Sequence, residues 1–254
     1  MDPGLYVVGT PIGNLADLST RAVEVLRQIR WILAEDTRVT RKLLARYGLS
    51  VPLQSCHKFS EASRIESVCR HAAIEPVALV TDSGMPAISD PGARIVRACR
   101  QAGIRIWVIP GPSALTAALA ISGYPADRFT FGGFLPSHGH RRERVLEELL
   151  QRPETLVLFE SPHRILRLLE ELEARAPQRR VCVCRELTKM FEETIEGTVP
   201  DVRARLSSRP ARGEYTVVLA PPDLRGTESD FGEPHCDESE SRCPNSRHPD
   251  WAAS

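Results

Sequence analysis

PVALVTDSGMPAISDPGARIVRACRQAGIRIWVIPGPSALTAALA, residues 76–120, decides the fold class. PVALVTD (76–82) is an apolar, β-branched run that stops at an acid and a turn cluster. Gly92–Ala102 carries a helical pattern closed by Gly103. IRIWVIP (104–110) is a second apolar run, after which Ser113 is placed to cap the helix ALTAALA. Strands separated by helices predict a parallel sheet covered on both faces. The uncharged run Ile106–Ala126 has the length of a membrane span, but Pro110, Gly111, Pro112 and Pro125 break it into a strand, a turn and a helix.

Upstream, the alternation continues. LYVVGT (5–10) is a strand, and Ser19 caps the helix TRAVEVLRQIR (20–30), whose Ala22, Val25, Leu26 and Ile29 form one stripe. WILAED (31–36) is a strand, Lys42–Tyr47 a short helix ending at Gly48, LQSCHKF (53–59) a weak strand and Glu61–Ala72 a helix. Downstream, FTFGGF, TLVLFES, RRVCVCREL, ETIEG and EYTVVLA read as strands, with helices near Arg141–Gln151, Arg164–Ala174 and Asp201–Leu206. Several connections there are short, which predicts a mixed sheet. The expected organisation is α/β with two domains, 1–122 and 123–220, divided near Gly123-Tyr124-Pro125, and a tail over 221–254.

The chain has 254 residues, long enough for a self-supporting core, and a formal net charge of zero. That zero is a sum of opposites. Residues 221–254 hold eight acids, three arginines and five prolines, with Leu224, Phe231 and Trp251 as their large apolar residues. Such a tail buries too little to offset the entropy of ordering, so disorder is expected. Residues 1–220 then carry a net charge of +5, which suits an anionic partner. Seven scattered cysteines and an opening MDPGLYVVGT without a basic-then-apolar signal point to reduced thiols in a cytoplasm. His235, Cys236, Cys243 and His248 do not have a usual zinc spacing, so no metal is expected.

Polar, small and proline residues gather after four first-half strands. They are Gly9-Thr10-Pro11-Ile12-Gly13-Asn14, Glu35-Asp36-Thr37-Arg38, Asp82-Ser83-Gly84-Met85-Pro86 and Pro110-Gly111-Pro112-Ser113. In a parallel sheet these carboxyl ends share one edge, where ligands bind. Each cluster alone also reads as turn chemistry. No GxxxxGK[ST], HExxH or GxSxG is present, and Pro11 stands where GxGxxG needs its second glycine.

LYVVGTPIGNLADLSTRAVEVL, ILAEDTRVTRKLL, ISDPG, IPGPSA, GFLP, ESPHR, RELTK and GEYTVVL, spread in order over roughly residues 4–220, resemble the ribosomal RNA small subunit methyltransferase I family. The resemblance implies two α/β domains of the tetrapyrrole-methylase type, with S-adenosylmethionine between them. It also implies a homodimer and 2′-O-methylation of a decoding-centre cytidine in 16S rRNA, with no membrane partner. Pro11, Asp82, Gly84, Met85, Ile88, Ser113 and Ala114 are the cofactor contacts it implies. This chain departs from the family in reading TDSGMPAISDPG, with Ser83 for alanine and Met85 for threonine, and His57-Lys58-Phe59-Ser60-Glu61 where HxHNE is usual.

Methyl transfer to a ribose hydroxyl needs alignment and proton removal. Asp36 is the candidate for orienting or deprotonating the hydroxyl and Arg38 for clamping a phosphate; in the second half, Glu160, His163 and Arg164 of ESPHR and Glu186 and Lys189 of RELTK read either as site residues, with Lys189 favouring the alkoxide, or equally as interdomain hydrogen bonds. A structural Asp36–Arg38 pair is the alternative. Asp90 reads either as a cofactor acceptor or as a turn or cap residue. HGHRRER (138–144) reads either as a phosphate-binding patch or as a solvated helix face. Two other functions stay open from sequence: a tetrapyrrole-type small-molecule methyltransferase, and a non-catalytic rRNA-binding assembly protein.

Overall fold

The computed structural model describes residues 1–57 and 60–224. The acidic tail beyond 224 and its histidines and cysteines lie outside the described residues.

The first sheet is built from β1 (Gly4–Val8), β2 (Trp31–Ala34), β3 (Leu53–Ser55), β4 (Pro76–Val80) and β5 (Ile106–Ile109), in the order β3-β2-β4-β1-β5. Every pairing is parallel, as the apolar runs predict. Helices α1 (Thr20–Gln28) and α2 (Thr37–Arg46) supply one apolar layer, through Ala22, Leu26, Leu43 and Leu44 against Tyr6, Val8 and Ile32. Helices α3 (Glu61–Ala72) and α4 (Ala93–Gln101) supply the other, through Val68, Ala72, Ile95 and Cys99 against Leu5, Leu33 and Leu79.

The second sheet runs β6-β7-β10-β8-β9, with β6 (Phe129–Phe134), β7 (Thr155–Glu160), β8 (Arg180–Arg185), β9 (Glu193–Thr198) and β10 (Tyr215–Leu219). It is mixed: β6 pairs β7 in parallel and the other three pairings are antiparallel. Helices α6 (His140–Leu150), α7 (Ile165–Arg175) and α8 (Val199–Ser207) cover one face. The other face receives α5 (Ala114–Ser122), whose Ala118 and Leu119 pack among Val157, Cys182, Cys184 and Val218. Gly123 ends α5 in the left-handed conformation. The last helix of the first chain half thus buries its apolar face on the second sheet, and Ile12 joins the same cluster. This packing fixes the two halves against each other.

Three local expectations need correction. Helix α2 begins at Thr37, five residues before the predicted Lys42, because the Asp36 side chain accepts the Arg38 N–H as an N-cap. Ser113 holds the N-cap position of α5, yet its side chain caps nothing. Arg142, in the basic run read as a phosphate patch or a solvated face, is fully buried. It occupies the start of the α6 apolar stripe, one turn before Leu146.

Among the described residues, no helix is long and apolar enough to cross a membrane.

Candidate active site

All four polar clusters emerge at the carboxyl edge of the parallel sheet and meet there. Thr10 and Gly84 exchange backbone hydrogen bonds (Thr10 N–H to Gly84 O, 2.9 Å; Gly84 N–H to Thr10 O, 3.2 Å), and the Thr10 hydroxyl donates to Thr81 O at 3.0 Å. Gly9 and Gly111 lie backbone on backbone: a Cβ on Gly111 would fall 2.8 Å from the Gly9 carbonyl carbon, and one on Gly9 2.6 Å from Met85 Sδ. The β1, β4 and β5 loops therefore form one packed platform.

Above it lies a cavity of about 270 Å³. The first half contributes Ile12, Ser83–Met85, Ile88–Asp90, Ser113 and Ala114; the second contributes Phe134, Phe159–Pro162 and Glu214–Thr216. Of the residues named from sequence, Gly84, Met85, Ile88, Ser113 and Ala114 line the cavity. Pro11 is buried beside the lining residue Ile12, and Asp82 precedes the lining residue Ser83. Sequence reasoning did not single out Phe134 and Phe159, which come from strands of the other sheet, or Glu214, which directly precedes its strand β10. Their only sequence signal was membership in the GFLP block, the TLVLFES strand and the GEYTVVL block.

The loop over residues 83–92 is bent against ordinary preference. Gly84 and Gly92 have positive φ, and so do Ala87 (69°) and Ser89 (66°). Such conformations persist where surrounding contacts impose them. One contact comes from α3. Glu61 Oε1 accepts the N–H groups of Gly92 (3.1 Å), Arg94 (2.9 Å) and Ile95 (3.3 Å), capping α4 from outside because Gly92 has no side chain to do so. Glu61 is the last member of the altered HxHNE block. Glu61→Ala leaves those buried donors unpaired and should cost about 1–3 kcal/mol in urea unfolding, whereas Glu61→Gln, which keeps an acceptor oxygen, should cost less.

Carboxylates converge on the first-half side of the cavity. Glu35 accepts the Thr81 hydroxyl at 2.6 Å, and Asp82 Oδ1 accepts the Asp36 N–H at 2.9 Å. Burial raises Asp82, the nearby Glu35 and Asp36 charges add to the rise, and the Asp36 N–H opposes it. Asp90 is pushed up to about 6, first by burial and then by the Glu35 charge, with smaller contributions from Asp82 and Glu214 and an opposing hydrogen bond from Thr81.

Asp36, Arg38 and Lys189 are not among the cavity lining residues. Arg38 grips Asp36 with Nε (3.0 and 3.1 Å) and Nη2 (2.5 Å), and these bonds with the Arg38 N–H hold the Asp36 carboxyl down at about 2. Lys189 Nζ donates to Glu186 and to the cavity residue Glu214, each at 2.9 Å. Burial works to lower the Lys189 pKa, but the two carboxylates outweigh it and hold the ammonium above its ordinary value. The loop carrying Lys189 is also strained, with Glu186 and Thr188 at positive φ, and it presses on the first half. The Thr188 hydroxyl accepts the Asn14 N–H at 3.0 Å, and a Cβ on Gly13 would fall 2.5 Å from Lys189 Cγ.

The cavity combines apolar walls, the carboxylates of Asp90 from the first half and of Glu160 and Glu214 from the second, and a helix α5 that opens without a side-chain cap. That lining fits an amphipathic cation bearing a carboxylate of its own: an apolar body, a cation facing Asp90, and an anion at the α5 N-terminus. Among the described residues, no cluster of three or more His, Cys, Asp or Glu is arranged to hold a metal.

The family described as Tetrapyrrole (Corrin/Porphyrin) Methylases matches residues 4–203. A curated relative from Xylella fastidiosa (strain Temecula1), named Ribosomal RNA small subunit methyltransferase I, is 45% identical over 222 residues, covering 85% of this chain and 81% of the relative. The Thermotoga maritima protein of the same name is 42% identical over 217 residues, covering 85% and 97%. Among solved structures, a cobalt precorrin-4 methyltransferase of cobalamin biosynthesis superposes with a TM-score of 0.60 at 18% identity, over 85% of this chain and 94% of that one. At that identity the likeness speaks for the fold alone.

Proposed function

The chain belongs to the tetrapyrrole methylase family and, within it, to the ribosomal RNA small subunit methyltransferase I family, and on that premise we propose that it methylates the 16S rRNA of the small ribosomal subunit, using S-adenosylmethionine. The reaction is transfer to the 2′-oxygen of a decoding-centre cytidine, carried out by a cytoplasmic homodimer. The observation that carries the reading is the cavity between the two halves, lined together by Ser83–Met85, Ile88–Asp90, Ser113 and Ala114 of the first and Glu160–Pro162 and Glu214–Thr216 of the second. Identity favours the RNA substrate over a tetrapyrrole: the relatives named for rRNA stand at 42–45%, the structurally matched precorrin methylase at 18%.

When bound, the cofactor supplies a methyl group on a positively charged sulfur. Gly84, Met85, Ile88, Ser113 and Ala114 hold it, with Pro11 and Asp82 supporting the loops from beneath. Asp90 gives that side of the cavity a negative charge that favours a sulfonium over its neutral thioether product. Asp36, kept ionised by Arg38, is a weak base; it orients the hydroxyl or the guanidinium rather than storing its proton. Arg38, with its side chain 83% exposed, faces solvent where a phosphate can reach it. Lys189, fixed as a cation by Glu186 and Glu214, favours the alkoxide. The direct test is methyl transfer from labelled cofactor to small subunits lacking the modification, with the product nucleotide mapped by mass. Label on the base, or no label on 16S rRNA, contradicts the reading.

A pH dependence follows from Asp90. Its pKa of about 6 in the folded protein lies above its ordinary 3.8. The native state therefore binds more protons than the unfolded state in between, and Asp90 lowers stability as pH rises through that window. Cofactor affinity should move the other way, rising as Asp90 ionises through about pH 6. Asp90→Asn should stabilise the cofactor-free protein at pH 7.5, weaken cofactor binding and flatten its pH profile. An unchanged profile would remove Asp90 from cofactor recognition.

A further inference from the structure

We propose that the exposed face of helix α2 is the surface on which rRNA phosphates dock, a reading that rests on the proposed rRNA substrate and locates its interface. Arg38, Arg41, Lys42 and Arg46 are all exposed on α2. Their spacing of three, four and eight residues from Arg38 puts them on one face, along about 12 Å of helix. The sequence has no Asp or Glu from Thr37 to Ser60, so nothing on this segment neutralises them. Among the described residues, Arg38 pairs with the capping Asp36, and Arg41, Lys42 and Arg46 have no ion pair.

The position of α2 joins this charge to the active site. The helix starts directly after β2 at the ligand-binding edge of the sheet. The Asp36 N–H is bonded to Asp82, the residue before the cavity-lining Ser83. A strand of phosphates laid along α2 therefore leads to the mouth of the cavity.

The denser basic run at 138–144 is a poorer candidate. Arg142 is fully buried in ion pairs with Glu160 and Glu171, His140 faces Glu143 at 3.2 Å, and Arg144 lies 3.7 Å from Glu148. Helix α6 carries three arginines against Glu143, Glu147 and Glu148, so its charges are internally compensated.

The experiment compares the full-length wild type, the triple variant Arg41→Ala/Lys42→Ala/Arg46→Ala, and Arg141→Ala/Arg144→Ala. Each is titrated with unmodified small subunits at several salt concentrations, and cofactor affinity is measured alongside. The triple variant should bind subunits roughly tenfold or more weakly, with the salt slope reduced by about two, since each lost phosphate contact removes roughly 0.7–0.9. Its cofactor affinity should match the wild type, and the α6 variant should keep the wild-type slope. A wild type that binds and methylates subunits beside a triple variant with unchanged slope and KM overturns the α2 assignment and leaves the rRNA reading standing. A triple variant that keeps its slope but shifts a monomer–dimer equilibrium makes α2 a face between copies, which also overturns it. A wild type that neither binds nor methylates subunits removes both.

Discussion

Arg142→Ala should lower the unfolding free energy by about 3 kcal/mol, the largest stability loss expected from any single exposed-looking basic residue in the sequence. The Arg142 and Glu160 side chains are both 0% exposed, 3.4 Å apart, and Arg142 Nε also donates to Glu171 at 2.8 Å and Nη1 to Pro136 O at 3.0 Å. Removing the guanidinium takes one of two cationic partners from the Glu160 carboxylate, whose side chain is 0% exposed, and leaves a void beside Leu146. The loss stays near the lower end of the range for broken buried pairs because Glu160 keeps Arg164 at 2.8 Å and Glu171 keeps Arg167 at 2.9 Å. Arg142→Met fills the void but not the charge deficit, and should recover only part of the loss. Arg141→Ala, on the exposed side, should change stability by less than about 0.5 kcal/mol. Chemical denaturation of the three variants checks this. An Arg142→Ala protein as stable as wild type would mean that the network is not formed.

The second large effect is expected at Gly111. Its missing Cβ is what lets the β5 loop lie on the β1 loop, since a methyl would sit 2.8–2.9 Å from three backbone atoms of Gly9. Backbone cannot yield as a flexible side chain does, so Gly111→Ala must part the loops that form the cavity floor, at about 1–3 kcal/mol of strain. Ser113 and Ala114 move with the loop, and cofactor affinity should fall at least tenfold. Gly48→Ala provides the comparison: Gly48 has φ +63° and open space around its Cβ position, and it is not among the cavity lining residues. It should lose roughly 1–2 kcal/mol from the left-handed conformation alone and keep its cofactor affinity. Equal cofactor affinity in both variants would contradict the platform.

The strand–helix alternation was legible because each element carries its own period and its own stop. Ser19 accepts the Ala22 N–H as its position suggested, and Glu61–Ala72 is a helix over the predicted span. The clustering of four polar loops at one edge was legible too, since parallel strands put their carboxyl ends together. Three features were not. Arg142 looks like a member of a basic run until its phase with Leu146 is considered, and charge concealed that phase. Ala87 and Ser89 adopt left-handed backbone that neither residue type advertises; the Glu61 cap and the platform beneath impose it. The second-half walls of the cavity, Phe134, Phe159 and Glu214, depend on α5 docking on the far sheet, a contact that no local pattern encodes.

Equilibrium dialysis of the full-length protein against labelled S-adenosylmethionine at pH 7.5 tests the central claim, that the cavity between the halves is a methyl-donor site. One molecule bound per chain, displaced by the demethylated thioether product and weakened in Gly111→Ala but not in Gly48→Ala, is the predicted result. Absence of saturable binding by a cooperatively folded protein would contradict it.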